Sequence, residues 1–286
     1  MFKSLHNKIW AFDCEWIPDP TSGKAVYNLP DDLTDSEAMQ AMWEEGGATD
    51  EDPMPYLKTI VCRIVSISAV TRTQVNGVPS LRLLSLPRDT ADSSQTNEKV
   101  ILDVFLNAIG QHKPQLVGYN SISSDLKIMI QRGIVNGVQA EGFCRRPDKP
   151  WEGVDYFARG SDHNIDLMDI VGGWGKSSPS LHEIATASGI PGKMAVDGNQ
   201  VAEMWLEGRL PEIVAYNEFD AITTYLLWLR TALFAGFVNH QQYEEEQDLL
   251  KELLKTEVET GGKLHLKQYL DEWLRLEKLV RPLDNN

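Results

Sequence analysis

Apolar and polar positions along the chain alternate between two periods. Ile9-Trp-Ala-Phe-Asp-Cys-Glu-Trp16 is dense in aromatic and aliphatic residues and ends in carboxylates, which predicts a buried strand whose last residues emerge at a sheet edge. Residues 17–57 break the pattern: Pro18, Pro20, Pro30, Pro53, Pro55 and Gly46-Gly47 describe a solvated excursion with one short helix around Asp35–Trp43. From Thr59 to Thr73 a β-branched run predicts a long strand. Asn76-Gly77 then supplies a tight turn, and Ser80–Leu86 returns as the second arm of an antiparallel hairpin. Apolar residues at helical spacing mark Glu98–Ile109, and Gln115–Tyr119 is a short apolar strand. Ser123 or Ser124 can cap a helix from Asp125 to Arg132.

Residues 133–162 form a second irregular stretch. Beyond it the pattern predicts a strand at Asn164–Val171, helices at Pro179–Ser188 and Asn199–Leu206, and a long apolar helix at Glu212–Phe234 opened by Pro211. The tail from Gln241 reads as two amphipathic helices split at Gly261-Gly262. Hairpin-joined strands followed by alternating helix and strand describe an α/β sandwich with a mixed sheet. An open doubly wound parallel sheet, and a two-domain split near residue 237, are the competing arrangements.

Composition adds what the chain is not. With 42% hydrophobic and 24% charged residues it can build a sizeable core, which excludes a disordered chain. No apolar run approaches the roughly 18 residues that cross a bilayer. Met1–Asn7 lacks the apolar stretch of a signal peptide, so a cytoplasmic location without membrane contact is expected. Cys14, Cys62 and Cys144 are odd in number and widely spaced, which predicts three reduced thiols rather than a disulfide framework or zinc site.

The 42 acids against 27 basic residues give a net charge of −15, unpromising for a nucleic-acid protein until it is resolved along the chain. Residues 25–57 hold nine acids and no Lys or Arg, and residues 241–260 hold seven acids and two lysines, so these segments carry −14 of the −15. The remainder is almost neutral.

Three groups of residues could carry chemistry. Asp13 and Glu15 are two apart on a strand and share a face, an arrangement that is unfavourable unless a cation sits between them. Tyr216 and Asp220 are four apart in the long apolar helix and lie one turn apart on one face, where Asp220 is drawn toward the apolar stripe and requires a partner. In Leu116–Asp125 a strand runs into a helix whose first turn carries an acid.

The order D-x-E, then Asn followed by Asp, then Y-x-x-x-D resembles the DEDDy group of 3′–5′ exonucleases in the ribonuclease H-like, DnaQ-like superfamily. The stretches IVCRIVSISAV, HNIDLMDIV, LHEIATASGIPGK, DGNQVAEMWLEGRL and YNEFDAITTYLLWLR are similar to bacterial predicted 3′–5′ exonucleases related to the proofreading domain of family B DNA polymerases. The similarity covers about 9–16, 59–132 and 163–236, leaving both irregular stretches and the tail outside it. It implies a ribonuclease H-like three-layer sandwich with a mixed five-stranded sheet flanked by helices. Residues 1–236 would form the exonuclease domain, with insertions at about 17–57 and 133–162, and 237–286 a helical extension packed on it.

The resemblance further implies metal ligands at Asp13, Glu15, Asp125 and Asp220, with Tyr216 orienting the attacking water and two Mg²⁺ or Mn²⁺ ions as cofactors. The substrate implied is a single-stranded 3′ end, DNA more than RNA, released as nucleoside monophosphates; the competing readings are an RNA-trimming exonuclease of the same chemistry and a non-catalytic nucleic-acid- or protein-binding module on the same fold. Relatives that use histidine place it five before the last Asp, where this chain has Ala215. Two positions depart from the family: Ser124 stands where an aromatic residue or Gly often precedes the second-motif Asp, and Asn217 stands where Cys usually follows the tyrosine. Two ions about 4 Å apart suit phosphodiester hydrolysis, and Tyr216, with an ordinary pKa near 10, suits holding a water better than deprotonating it.

Asn120, Lys176, Lys193 and Trp16 are candidate substrate contacts, and Trp174 and Trp205 could also stack bases. Gly172–Ser177 imitates a phosphate loop but has Ile170 where the motif needs Gly. Asp166, Asp169 and His163 are expected to be structural. The acidic insertion or the tail helices could dock a protein partner. Removing much of 30–52 is expected to raise affinity for single strands at low salt; unchanged binding in a titration would place the excursion away from the substrate path.

Overall fold

The computed structural model of the protein describes residues 2–149, 151–173, 177–194 and 200–280. Its elements run β1 (Lys8–Pro18), α1 (Pro20–Tyr27), α2 (Asp35–Glu45), β2 (Cys62–Val75), β3 (Val78–Leu86), α3 (Glu98–His112), β4 (Gln115–Gly118), α4 (Asp125–Val135), α5 (Glu141–Cys144), β5 (Asn164–Asp166), α6 (Leu167–Gly172), α7 (Leu181–Ala187), α8 (Val201–Leu206), α9 (Leu210–Phe234), α10 (His240–Glu259) and α11 (His265–Val280). The five strands form one sheet in the order β3-β2-β1-β4-β5. β1 pairs antiparallel with β2 and parallel with β4, so the sheet is mixed, as in a ribonuclease H-like exonuclease fold.

The hairpin follows from its turn residues. Asn76 and Gly77 both adopt positive φ, 52° and 83°, which matches the turn twist to that of the strands and sets Val75 opposite Val78. Apolar residues on the two faces of the sheet then make two cores. One gathers Trp10, Phe12, Cys14 and Ile64 with Leu102 and Phe105 of α3 and Ile128 and Met129 of α4. The other gathers Ile9, Ala11 and Val117 with Ile222, Tyr225 and Leu226 of α9 and Leu250, Leu254, Leu266 and Trp273 of α10 and α11.

Several expectations change. β1 does not end at a sheet edge; it is the third of five strands, and Asp13 and Glu15 lie within it. What opens space beside them is the shortness of β4, whose pairing with β1 reaches only Ala11↔Val117. The strand expected at Asn164–Val171 stops at Asp166, because the Asp166 side chain accepts the Met168 amide at 3.0 Å and caps α6.

Residues 17–57 are not merely a solvated excursion. α2 has a Thr34/Glu37 capping box and buries Ala38, Met39, Met42 and Trp43. α1 escapes a breaker-based reading because Pro20 sits in its first turn, where no N–H is needed. Arg132 of α4, 3% exposed, bonds Asp19 and Glu98 at 2.7 Å each and Ser22 at 2.8 Å, tying this insertion to α3 and α4. The nine acids remain exposed. The expectation for 30–52 is therefore tested by exchanging those acids for Asn and Gln, since deletion would take Met39 and Met42 out of the core.

Cys14 and Cys62 are buried free thiols and Cys144 is exposed. No helix among the described residues is long and apolar enough to cross a membrane. The tail locks onto the back of the sheet through Arg72 of β2, whose guanidinium meets Glu246 of α10 at 2.6 and 3.0 Å while Tyr225 of α9 donates to the same carboxylate. Glu246, counted above among the tail's surplus acids, is thus a buried, neutralised charge. Glu246→Ala leaves Arg72 buried without its partner and is expected to cost about 3–5 kcal/mol of unfolding free energy in a denaturant titration.

Candidate active site

Alternation along β1 sends Asp13 and Glu15 to one face. Their neighbours across the antiparallel ladder are small and polar: Asp13 faces Ser68 and Glu15 faces Ser66. Directly after Glu15 the β1–β2 register shifts, so the carboxylates sit at a bulge. On the same side runs α9, where Tyr216, Asn217 and Asp220 are buried or partly buried. Asp13, Glu15 and Asp220 each offer a carboxylate oxygen, and these oxygens lie within 4.8 Å of one another.

Asp125 arrives from the other side, at the first turn of α4 beyond the short β4. Its Oδ1 accepts the Cys14 amide at 3.0 Å and the Cys14 thiol at 3.2 Å, taking up a β1 donor that lies past the last residue paired with β4. The loop that carries it there is shaped by Asp166. That carboxylate accepts the amides of Asn120 at 2.8 Å and Ile122 at 3.0 Å, with Asn120 held at a φ of 59°. Asp166 is therefore structural, as expected. Asp169 lines a different cavity, and His163 packs edge-on against His6.

Burial and mutual repulsion dominate the electrostatics. Burial first, then the charges of Asp125, Glu15 and Asp220, push Asp13 well above the usual carboxylate range. Burial, Asp220 and Asp125 do the same to Glu15. Burial raises Asp125 to about 7 against the pull of its Cys14 bonds, and raises Asp220 to about 6 against a hydrogen bond from Tyr216 and the Lys193 charge. Burial and the neighbouring carboxylates also hold the Tyr216 hydroxyl protonated.

A cleft of about 470 Å³ opens over this group. It is lined by the four acids together with Trp16, Asn120, Ser124 and Lys193, and on one wall by Trp43, Met54, Pro55, Tyr56 and Leu57 of the insertion. Of the candidate substrate contacts, Asn120, Lys193 and Trp16 thus line the cleft, although the Asn120 amide is bonded to Ser124 at 2.9 Å. Trp205 lies apart from it, with Arg63 stacked 4.3 Å from its ring centre. Lys176 and Trp174 fall outside the described residues.

Three contributors escaped the sequence reading. Asn217, visible there only as a departure from the family, donates to Asp13 Oδ2 at 2.7 Å and accepts from Ser66 at 3.0 Å. Cys14 holds Asp125. Tyr56 belongs to a segment read as solvated. The available signals were polar residues in apolar runs: Ser66 and Ser68 in β2, and Asn217 in α9.

Hard oxygen donors packed this closely, each with its charged form disfavoured by burial, fit one or more hard divalent cations such as Mg²⁺ or Mn²⁺. Residues 54–273, more than half of the chain, match the family model described as a predicted 3′–5′ exonuclease related to the exonuclease domain of PolB. The matched stretch contains Asp125, Tyr216 and Asp220, starts after Asp13 and Glu15, and includes both residues 133–162 and the tail as far as 273, which the sequence reading had left outside. No curated protein matches the chain.

Carboxyl groups whose folded pKa lies above the unfolded value bind more protons in the folded state, so they cost stability as pH rises from about 4 to about 7. Metal-free protein is expected to lose stability over that window. At pH 7.5 thermal unfolding should show Asp220→Asn more stable than wild type in EDTA, and less stabilised than wild type by Mn²⁺.

Proposed function

The chain belongs to the family of predicted 3′–5′ exonucleases related to the exonuclease domain of PolB, and from that premise we propose that it hydrolyses the terminal phosphodiester bond at the 3′ end of single-stranded nucleic acid, DNA in preference to RNA, releasing nucleoside monophosphates. The observation that carries this reading is the meeting of Asp13, Glu15 and Asp220 oxygens within 4.8 Å, with the Asp125 carboxylate close enough to raise the Asp13 pKa.

In this reading Asp13, Glu15, Asp125 and Asp220 hold two divalent ions, Mg²⁺ or Mn²⁺. When bound, such ions supply Lewis acidity for activating water and stabilising the leaving 3′ oxygen. The chain's own groups position and polarise. Asn217, backed by Ser66, fixes the Asp13 carboxylate, and the Cys14 amide and thiol fix Asp125. Tyr216 keeps its proton, so it orients the attacking water through a hydrogen bond and does not act as the base. Lys193, whose charge acts on Glu15 and Asp220, places a cation at the cleft for the phosphate backbone.

End-labelled single strands should shorten from the 3′ end with Mg²⁺ or Mn²⁺, stop in EDTA, and remain intact with Asp13→Ala. Tyr216→Phe removes the hydroxyl that orients the water and is expected to lower turnover about 100-fold or more, with KM for the strand retained. Matched DNA and RNA strands assayed side by side decide the substrate preference. Absence of metal-dependent hydrolysis on both would overturn the assignment.

A further inference from the structure

The carboxylates account for one end of a nucleotide only. A terminal phosphate at Asp13 and Asp220 leaves a sugar and a base to be placed in the remainder of the 470 Å³ cleft. Sequence-tolerant recognition of a base comes from an aromatic face, since every base can stack. The cleft has four aromatic side chains among the described residues, and they differ in availability. Trp43 is buried, Trp16 packs partly against the core, and the Tyr119 hydroxyl is engaged by the Pro179 carbonyl. Tyr56 is 69% exposed.

An exposed ring is useful as a platform only if it is held. Tyr56 stands between Pro55 and Leu57, the first of fixed φ and the second buried in the core. It lines the same cleft as Ser124, the residue immediately before Asp125. Ser124 is bonded by Asn120 at 2.9 Å, so this part of the cleft belongs to the loop that sets the second-motif carboxylate. A tyrosine costs little conformational entropy to order, having two side-chain torsions.

We propose that Tyr56 is the stacking platform for the base of the 3′-terminal nucleotide, with Pro55 and the buried Leu57 fixing the backbone that carries its ring at the cleft. The insertion that begins at residue 17 therefore contributes a substrate-binding group to the site, and its acidic outer surface is a separate property. This inference rests on the exonuclease reading above. It specifies what that site recognises: a base, of any identity, next to the scissile phosphate.

The test uses the full chain with Mn²⁺ and two single strands that differ only at the 3′ end, one with a normal terminal nucleotide and one with a terminal abasic residue. On the normal end, Tyr56→Ala should raise KM roughly 5- to 150-fold with kcat little changed, as expected for loss of one stacked base. On the abasic end wild type and Tyr56→Ala should be equal. Tyr56→Phe, which keeps the ring, should stay within about threefold of wild type on the normal end. An exposed side chain can be truncated without unfolding the protein, and unchanged melting of Tyr56→Ala checks this. Equal KM values for wild type and Tyr56→Ala on the normal end would overturn the proposal. So would a loss that persists on the abasic end, or a Tyr56→Phe variant as impaired as Tyr56→Ala. Hydrolysis of neither strand by wild type would instead remove the exonuclease reading on which the proposal stands.

Discussion

Carboxylates buried side by side organise this molecule. Asp13, Glu15 and Asp220 hold oxygens within 4.8 Å of one another at a cleft that Asp125 also lines, and the Asp125 charge adds to the burden on Asp13. Such a group is unfavourable by itself, and the surrounding structure consists of devices that tolerate it. Asn217 gives Asp13 a hydrogen bond, Cys14 gives Asp125 two, the Tyr216 hydroxyl favours the charged form of Asp220, and the Lys193 charge lowers Glu15 and Asp220. None of these offsets the burial, since all four carboxyl groups remain pushed upward, Asp13 and Glu15 by their neighbours' charges as well. What remains is the opening for divalent cations.

The scaffold places those groups by ending things early. β4 stops pairing with β1 at Ala11, and the Cys14 amide is thereby left for Asp125. Asp166 bends the loop after β4 so that α4 begins with Asp125 beside β1. Behind the site, buried ion pairs hold the layers in place: Arg72 with Glu246 joins β2 to α10, and Glu218 of α9 meets Lys263, His265 and Ser85. In front, Arg132 fastens the insertion to the helix that carries Asp125. The insertion can then line the cleft with Tyr56 because its own helix α2 is anchored by Met39 and Met42.

Much of this was legible in the sequence, for identifiable reasons. The hairpin was readable because Asn76-Gly77 is a local signal, and α9 because its apolar run is long. The spacing of Asp13 with Glu15 and of Tyr216 with Asp220 gave two face-sharing pairs, since strand and helix periods are properties of the backbone alone. What stayed hidden depended on contacts far apart in sequence. Asn217 meets Asp13 across 204 residues, and nothing local announces it. The end of β5 depended on Asp166 capping α6, a choice that an apolar run such as Ile165–Val171 does not display. Tyr56 was hidden differently: proline and acid density described the surface of its segment correctly and concealed the buried methionines that fix it. The charge of −15 similarly conflated exposed acids with Glu246, which is neutralised inside the fold.

The central claim is that the carboxylate group is a divalent-cation site. Anomalous scattering from a crystal of the full chain grown with Mn²⁺ tests it most directly. The account predicts manganese peaks in contact with Asp13, Glu15 and Asp220, with Asp125 beside them. Manganese elsewhere on the molecule and none at these carboxylates would contradict it.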